Sequence, residues 1–299
     1  MDIVVAGGSG LLGEPLVRRL IARGDDVAVL SRDPRKVRAG RGVQWDGKSA
    51  GAWTGEIDAA DAVINLAGEN IGAGRWTEER KRRLIDSRLD ATSSIVAALS
   101  KASRRNRVLI NASAVGFYGF ERDEIADESA PKGRGFLADL VDRWESAAKR
   151  AEPFARVVIL RFGVVLAQDG GALAKMMLPF RFGAGGPVGS GRQWMSWVDR
   201  DDVLRAIEWA LTRGSVRGAY NITAPEPVTN KEFARTLGRV MHRPSLLPAP
   251  GFALRLVFGE MADEALLGGQ RAVPRRTEAE GFRFEHAKLE SALRHVTTP

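Results

Sequence analysis

A glycine-rich turn near the start of the chain limits the architectures open to it. Gly7-Gly8-Ser9-Gly10-Leu11-Leu12-Gly13 follows the apolar run Ile3 to Ala6 and precedes a helical period in Leu12, Leu16, Leu20 and Ile21 that stops at Gly24. The spacing satisfies G-x-x-G-x-x-G through Gly7, Gly10 and Gly13, and G-x-G-x-x-G through Gly8, Gly10 and Gly13. Strand, turn and helix in this order form the first unit of a parallel sheet that holds a pyrophosphate. The turn needs unusual dihedrals, the phosphates must approach bare backbone, and the helix must pack close to the strand. The motif carries weight because of its place between a strand and a helix.

Short β-branched runs and helical stretches alternate over the first 165 residues. Val27 to Leu30, Ala62 to Leu66, Arg107 to Ala112 and Arg156 to Leu160 read as strands. One helix is capped by Thr77 and carries Leu84, Ile85, Leu89, Ile95, Val96 and Leu99; another runs from about Gly135 to Arg150. The expected fold class is α/β: a Rossmann-type doubly wound parallel sheet with a smaller mixed C-terminal substrate lobe. Residues 1–165 form the expected cofactor domain, with a return segment near 195–224 in which Ala219 to Ile222 is a late strand. Residues 166–194 and 225–299 form the small lobe, where glycines from Gly170 to Gly191 and prolines from Pro225 to Pro250 suggest irregular structure.

With no cysteine, disulfides, thiolate zinc sites and cysteine nucleophiles are excluded. The three histidines, His242, His286 and His295, lack ligand spacing, so neither a metal site nor a Ser-His-Asp triad is expected. The 45 Lys and Arg exceed the 37 Asp and Glu, giving +8. The basic knots at Arg35 to Arg41, Arg80 to Arg83, Arg104 to Arg107 and Arg271 to Arg276 make no single stripe with interleaved aromatics. This pattern suits a small anionic partner and argues against nucleic acid. The start Met1-Asp2-Ile3-Val4-Val5-Ala6 carries no basic leader or long apolar run, so a cytoplasmic protein without a membrane partner is expected.

Strand two ends in Leu30-Ser31-Arg32, where an NAD site usually sets an acid against the ribose hydroxyls. A hydroxyl and a guanidinium suit a 2′-phosphate, which an acid would repel, so NADP(H) is the expected cofactor. The alternative is Asp33 turned inward to a ribose, with Arg32 a solvated loop residue. The expected cofactor contacts are Gly7, Ser9, Gly10, Leu11, Leu12 and Gly13 in the cradle, Ser31 and Arg32, and the small segment Leu66-Ala67-Gly68. Arg88 on the long helix is added to them; its alternative is a helix-surface salt bridge.

Together these residues resemble the extended short-chain dehydrogenase/reductase superfamily. The likeness also runs through Asn111-Ala112-Ser113-Ala114-Val115-Gly116-Phe117-Tyr118-Gly119 and Trp197-Val198-Asp199 before Asp202. More narrowly, the chain is similar to an atypical epimerase-like subfamily labelled nucleoside-diphosphate-sugar epimerase or cell-division inhibitor. That likeness rests on Asn65 to Ile71, Arg75-Trp76 leading to Ser87-Arg88, Leu178-Pro179-Phe180, Gly185-Gly186-Pro187, Gly189 to Gln193, and Trp197, and so covers almost the whole chain.

The resemblance implies a Ser, Tyr and Lys site in which tyrosine moves the proton, lysine lowers its pKa and serine orients the substrate. Ser113 matches the serine, but Leu137 and Val141 stand at the tyrosine and lysine positions when the helix is aligned on Trp144-Glu145. Tyr118, near Ser113, is the remaining candidate for proton transfer; packing is the alternative for it and for Tyr220. Glu69, Asn70, Trp76, Lys175, Gln193 and Trp197 are the expected substrate contacts, with core packing the alternative for Trp194 and Trp197. Arg271, Arg275 and Arg276 are read as a solvated run or an anion grip. Two functions follow: an NADP(H)-dependent oxidoreductase or epimerase-like enzyme for a small polar substrate, to which the resemblance alone gives a sugar origin, or a catalytically inactive NADP(H)-responsive binding protein. Monomer and homodimer both remain open.

Overall fold

The computed structural model describes residues 1–103 and 107–297; Arg104 to Asn106, in one of the basic knots, lie outside the described residues. One parallel sheet contains β1 (Asp2–Ala6), β2 (Asp26–Ser31), β3 (Arg41–Gln44), β4 (Ala62–Asn65), β5 (Val108–Ala114), β7 (Arg156–Phe162) and β11 (Gly218–Ile222). Its order is β11-β7-β5-β4-β1-β2-β3, so the direction of winding reverses between β1 and β4. Short pairs join β6 (Glu121–Ala126) to β13 (Gly269–Ala272), β8 (Val164–Leu166) to β10 (Trp197–Asp199), and β9 (Trp194–Met195) to β12 (Val228–Thr229). The helices are α1 (Gly13–Ala22), α2 (Thr54–Ala59), α3 (Glu78–Lys101), α4 (Phe136–Lys149), α5 (Gly171–Arg181) and α6 (Arg200–Thr212). They continue as α7 (Asn230–Val240), α8 (Gly251–Phe258), α9 (Glu260–Ala262), α10 (Arg275–Ala279) and α11 (Leu289–Thr297). No helix among the described residues is long and apolar enough to cross a membrane.

The central strands are mostly apolar because both sheet faces are covered. Ile3 and Val5 pack with Leu16, Val17 and Leu20 of α1 and Val203, Ile207 and Ala210 of α6. Val4 and Ala6, on the other face, pack with Ile57 of α2 and Ile95 and Leu99 of α3. This is the period-two alternation of a strand between two helical layers. An Arg19–Glu208 ion pair at 2.8 Å ties α1 to α6. Thr77, Asp199 and Thr229 each accept a backbone amide at a helix start, fixing where α3, α6 and α7 begin.

The structure differs from the sequence reading at three elements. The stretch between strand two and Ala62 holds β3, a four-residue edge strand with Val43 as its apolar residue, so Ala62 to Asn65 is the fourth strand. Its periodicity is too short to register. The segment from Gly170 to Gly191 contains α5, with Pro179 in its last turn, and the proline-punctuated segment contains α7. Leu173, Met177 and Phe180 of α5, Phe233 and Leu237 of α7 and Leu293 of α11 bury one another around Trp197. Tertiary packing thus stabilises helices that the local sequence marks only weakly.

Two glycines make the first turn possible. Gly7 has φ +80°, and a Cβ there would stand 2.8 Å from the Leu66 backbone. A Cβ on Gly13 would meet the Gly7 carbonyl oxygen at 2.1 Å. Gly13→Ala is therefore expected to lower the unfolding free energy by about 1–3 kcal/mol in urea titrations. Gly55→Ala, in α2 with nothing within 4 Å of its Cβ, should raise it by about 0.5–1 kcal/mol.

Candidate cofactor and substrate site

The turn after β1 closes through Gly10 N–H donating to Gly7 O at 3.1 Å and Glu14 N–H donating to Gly10 O at 3.1 Å. The amides of Leu11, Leu12 and Gly13 have no hydrogen-bond partner among the described residues. They stand at the positive end of α1, where an anion would complete them. Ser9 and Gly10 are exposed on the same turn. Leu11 lies against Gly170 and Gly171, so the start of α5 sits beside the cradle. The residues present therefore fit a pyrophosphate. A separate groove of about 1030 Å³, lined by Met1, Asp61, Arg156 and Gly218, opens at the opposite, N-terminal edge of the sheet. Doubly wound sheets bind nucleotides at the carboxyl edge, on the side of the cradle.

At the end of β2 the Ser31 hydroxyl accepts from Asp33 N–H at 3.1 Å. Asp33 pairs with Arg35 at 3.3 Å and Lys36 at 3.5 Å, so its carboxylate is turned to its own loop. The exposed Arg32 guanidinium has no ion-pair partner among the described residues. A hydroxyl and an uncompensated cation thus stand together beside the cradle edge.

The β4 end is shaped by Asn65, whose side chain accepts the Ala67 amide at 3.2 Å and donates to Asn111 at 2.7 Å. Leu66, Ala67 and Gly68 follow as a low wall. Arg88 lies against Gly68 and donates to the carbonyls of Leu84 and Glu69, each at 3.0 Å. It also lies over the Trp144 ring at 5.2 Å. This is not the helix-surface salt bridge considered as its alternative. Burial lowers its pKa to about 10, so the side chain stays cationic at neutral pH.

The expected substrate residues divide. Glu69 pairs with Arg80, Asn70 accepts the Gly72 amide at 2.8 Å, and Lys175 of α5 donates to Gly72 O at 2.6 Å, so these gather at one loop. Gln193 donates to Val188 O at 3.0 Å and Leu266 O at 2.8 Å, while its amide oxygen is buried without a hydrogen-bond partner among the described residues. Trp76 and Trp197 do not join them. Trp197 is 0% exposed with its indole N–H on Glu226 O, and Trp76 is 5% exposed with its N–H on Ile71 O and its ring against Phe136. Both indoles are core, because burial of their large apolar area outweighs any surface role once each N–H is satisfied.

The expected catalytic pair is held inside a closed polar network. Ser113 Oγ donates to Glu145 at 2.6 Å, and Arg161 grips the same carboxylate through Nε at 2.7 Å and Nη2 at 2.8 Å. Arg161 Nη1 donates to the Tyr118 hydroxyl at 2.9 Å, and that hydroxyl donates to Asn221 at 2.8 Å. Ser113, Tyr118, Glu145, Arg161 and Asn221 are all buried. Burial pushes the Tyr118 phenol above its ordinary pKa, against the nearby Arg161 charge. The geometry therefore corrects the role expected of these two side chains. Both hydroxyls are engaged by a buried ion pair.

Leu137 and Val141 face Gly116 at the end of β5, where their side chains would meet a Cβ at 3.5 and 4.0 Å. Glu264, from the chain beyond α9, accepts the amides of Phe136 at 2.7 Å and Leu137 at 2.8 Å and so caps α4. Glu145, Arg161 and Glu264 were missed in the sequence reading. Arg161 carries a visible signal: a charge inside the apolar run Val157 to Phe162 that must find a buried partner. Glu264 carries none, since its partners are more than a hundred residues away.

The model of the NAD dependent epimerase/dehydratase family matches residues 3–223, and that of a domain of unknown function, DUF1731, matches residues 249–296. The chain belongs to the NAD-dependent epimerase/dehydratase family. It is 42% identical over 297 residues to an epimerase family protein, ML0860, of Mycobacterium leprae, covering 99% of this chain and 95% of that one. The crystal structure of human epimerase family protein SDR39U1 (isoform 2) with NADPH is similar at TM-score 0.89 and 35% identity, covering 99% of both chains. A nucleoside-diphosphate sugar epimerase from Corynebacterium glutamicum is similar at TM-score 0.76 and 28% identity, over 98% of this chain and 57% of that one. The match to DUF1731 takes in Glu264, the cap of α4.

Removing one partner of the buried pair should cost far more than removing a hydroxyl beside it. Glu145→Gln is expected to lose about 3–5 kcal/mol of unfolding free energy, because it leaves Arg161 uncompensated. Tyr118→Phe should lose about 0.5–1.5 kcal/mol. Chemical denaturation of the two variants measures both.

Proposed function

We propose that this chain binds NADP(H) at the carboxyl edge of β1, β2 and β4. One observation carries the reading: Arg32, just after β2, has no carboxylate partner among the described residues, while the neighbouring acid, Asp33, is taken by Arg35 and Lys36. In this reading Ser9, Gly10 and the amides of Leu11, Leu12 and Gly13 receive the pyrophosphate, and Gly7 lets the chain turn beneath it. Ser31 and Arg32 receive the 2′-phosphate. Leu66, Ala67 and Gly68 leave room for the second ribose, with Arg88 as a fixed positive charge behind them. The NADPH of the human relative supports the assignment.

When bound, the cofactor supplies or accepts a hydride. We read the chain as an epimerase-like oxidoreductase for a small polar, sugar-derived substrate. Residues 1–165 with the segment near 195–224 form the cofactor body, and 166–194 with 225–299 form the substrate lobe. Glu69, Asn70, Lys175 and Gln193 remain the substrate residues of this proposal. Ser113 and Tyr118 serve as framework, so the proton comes from the substrate side or from solvent. The second reading, an NADP(H)-responsive binding protein without turnover, is favoured by Leu137 and Val141 at the family's acid–base positions and by the closed Ser113–Glu145–Arg161–Tyr118 network.

Fluorescence titration with NADPH and NADH tests the cofactor assignment. Arg32→Ala is expected to weaken NADPH binding by about tenfold to somewhat over a hundredfold, the worth of one charge-assisted contact, and to leave NADH binding unchanged. Equal losses for the two cofactors would contradict the 2′-phosphate role. Turnover is tested with a panel of nucleotide sugars and carbonyl compounds. Oxidation of NADPH, or formation of an epimer, supports the oxidoreductase reading. A silent panel, together with protease patterns that differ between NADPH and NADP⁺, supports the binding protein.

A further inference from the structure

The fold brings together two of the three histidines, which the sequence keeps apart. His286, in the loop before α11, and His295, in the last turns of α11, stack with ring centroids 4.0 Å apart and planes 11° from parallel. Asp199, at the end of β10, is 1% exposed and places Oδ2 3.0 Å from His295 Nδ1. Its other oxygen caps α6 through the Asp201 amide at 2.7 Å, which fixes the direction of the carboxylate. Asp201 Oδ2 lies 3.6 Å from His295 Nε2.

The third position is anchored too. Buried Asp202 accepts the backbone amides of Glu285 and His286, each at 2.9 Å, and pairs with Arg205 at 2.7 Å. The His286 ring itself has no hydrogen-bond partner among the described residues. One nitrogen from each imidazole and one Asp199 oxygen lie within 4.8 Å of one another. Around them stand Asp169, Asp201, Asp202 and Glu285, against the cations Arg200 and Arg205. A cleft of about 240 Å³ lined by Gln168, Asp169, Asp199, Arg200, Asp201 and His295 leads to the cluster.

We propose that Asp199, His286 and His295 bind a divalent transition-metal ion of the zinc class. Two imidazoles and a carboxylate are the donor set such ions take, with one position left to water or to Asp201. A tetrahedral ion with bonds of about 2.0–2.2 Å sets adjacent donors roughly 3.3–3.6 Å apart. The Asp199–His295 edge is already near that spacing, and rotation of the His286 ring closes the remainder. The ion would clamp the end of α11 to the start of α6, joining the segment matched by DUF1731 to the epimerase fold. The three ligands share no residue with the cofactor cradle, and the site does not depend on the function proposed above.

Titration of the untagged full-length protein with Co²⁺, followed in the visible range, tests this. One equivalent should give saturable d–d bands that Zn²⁺ abolishes. His286→Ala should weaken binding by more than the roughly 10–100-fold lost with a residue that merely orients a ligand. His242→Ala, at the third histidine, should leave it unchanged. Should His286→Ala fail to fold, His295→Asn carries the same expectation. Absence of saturable bands in the unaltered protein, or bands that persist in the folded His286 or His295 variant, would overturn the proposal.

Discussion

The buried pair between Glu145 and Arg161 ties a helix of one layer to the central sheet and to the turn that follows β5. Glu145 belongs to α4, Arg161 to β7, Ser113 to β5, Tyr118 to the turn after β5 and Asn221 to β11. A charged pair this deep is tolerated only when its remaining donors and acceptors are met. Ser113, Tyr118 and the faces of the Phe117 and Tyr118 rings, 3.6 and 5.2 Å from the guanidinium, meet them. The demand of the ion pair thus accounts for a serine at Ser113 and a tyrosine at Tyr118 in this part of the core.

The cofactor cradle follows from a different constraint. Close approach of α1 to the turn after β1 requires glycine at Gly13, close approach of the Leu66 backbone requires it at Gly7, and the resulting turn leaves the amides of Leu11 to Gly13 for a phosphate. Backbone geometry of this kind does not depend on the side chains of the buried network. Wrapping the C-terminal segment back onto the fold then adds Glu264 as the cap of α4 and brings His286 and His295 to Asp199.

Much of this was legible in the sequence. The glycine spacing, the apolar strands and the helix capped by Thr77 follow from local periodicity, and the doubly wound sheet is the arrangement that buries them. The edge strand at Val43 and helices α5 and α7 were less legible, because four residues carry no period and glycine or proline interrupts the other two segments. At the site, Arg32 and the absence of a tyrosine at Leu137 were visible in the chain. The engagement of Ser113 with Glu145, the burial of Trp76 and Trp197 and the meeting of His286 with His295 depend on contacts between residues distant in sequence, which no local pattern encodes.

The most direct test of this account measures unfolding free energy and NADPH affinity together on the Ser113→Ala, Tyr118→Phe double variant. The account predicts a loss of stability of about 1–3 kcal/mol with cofactor affinity, and any NADPH oxidation by the parent protein, unchanged. Undiminished stability with oxidation abolished would contradict it and return both hydroxyls to catalysis.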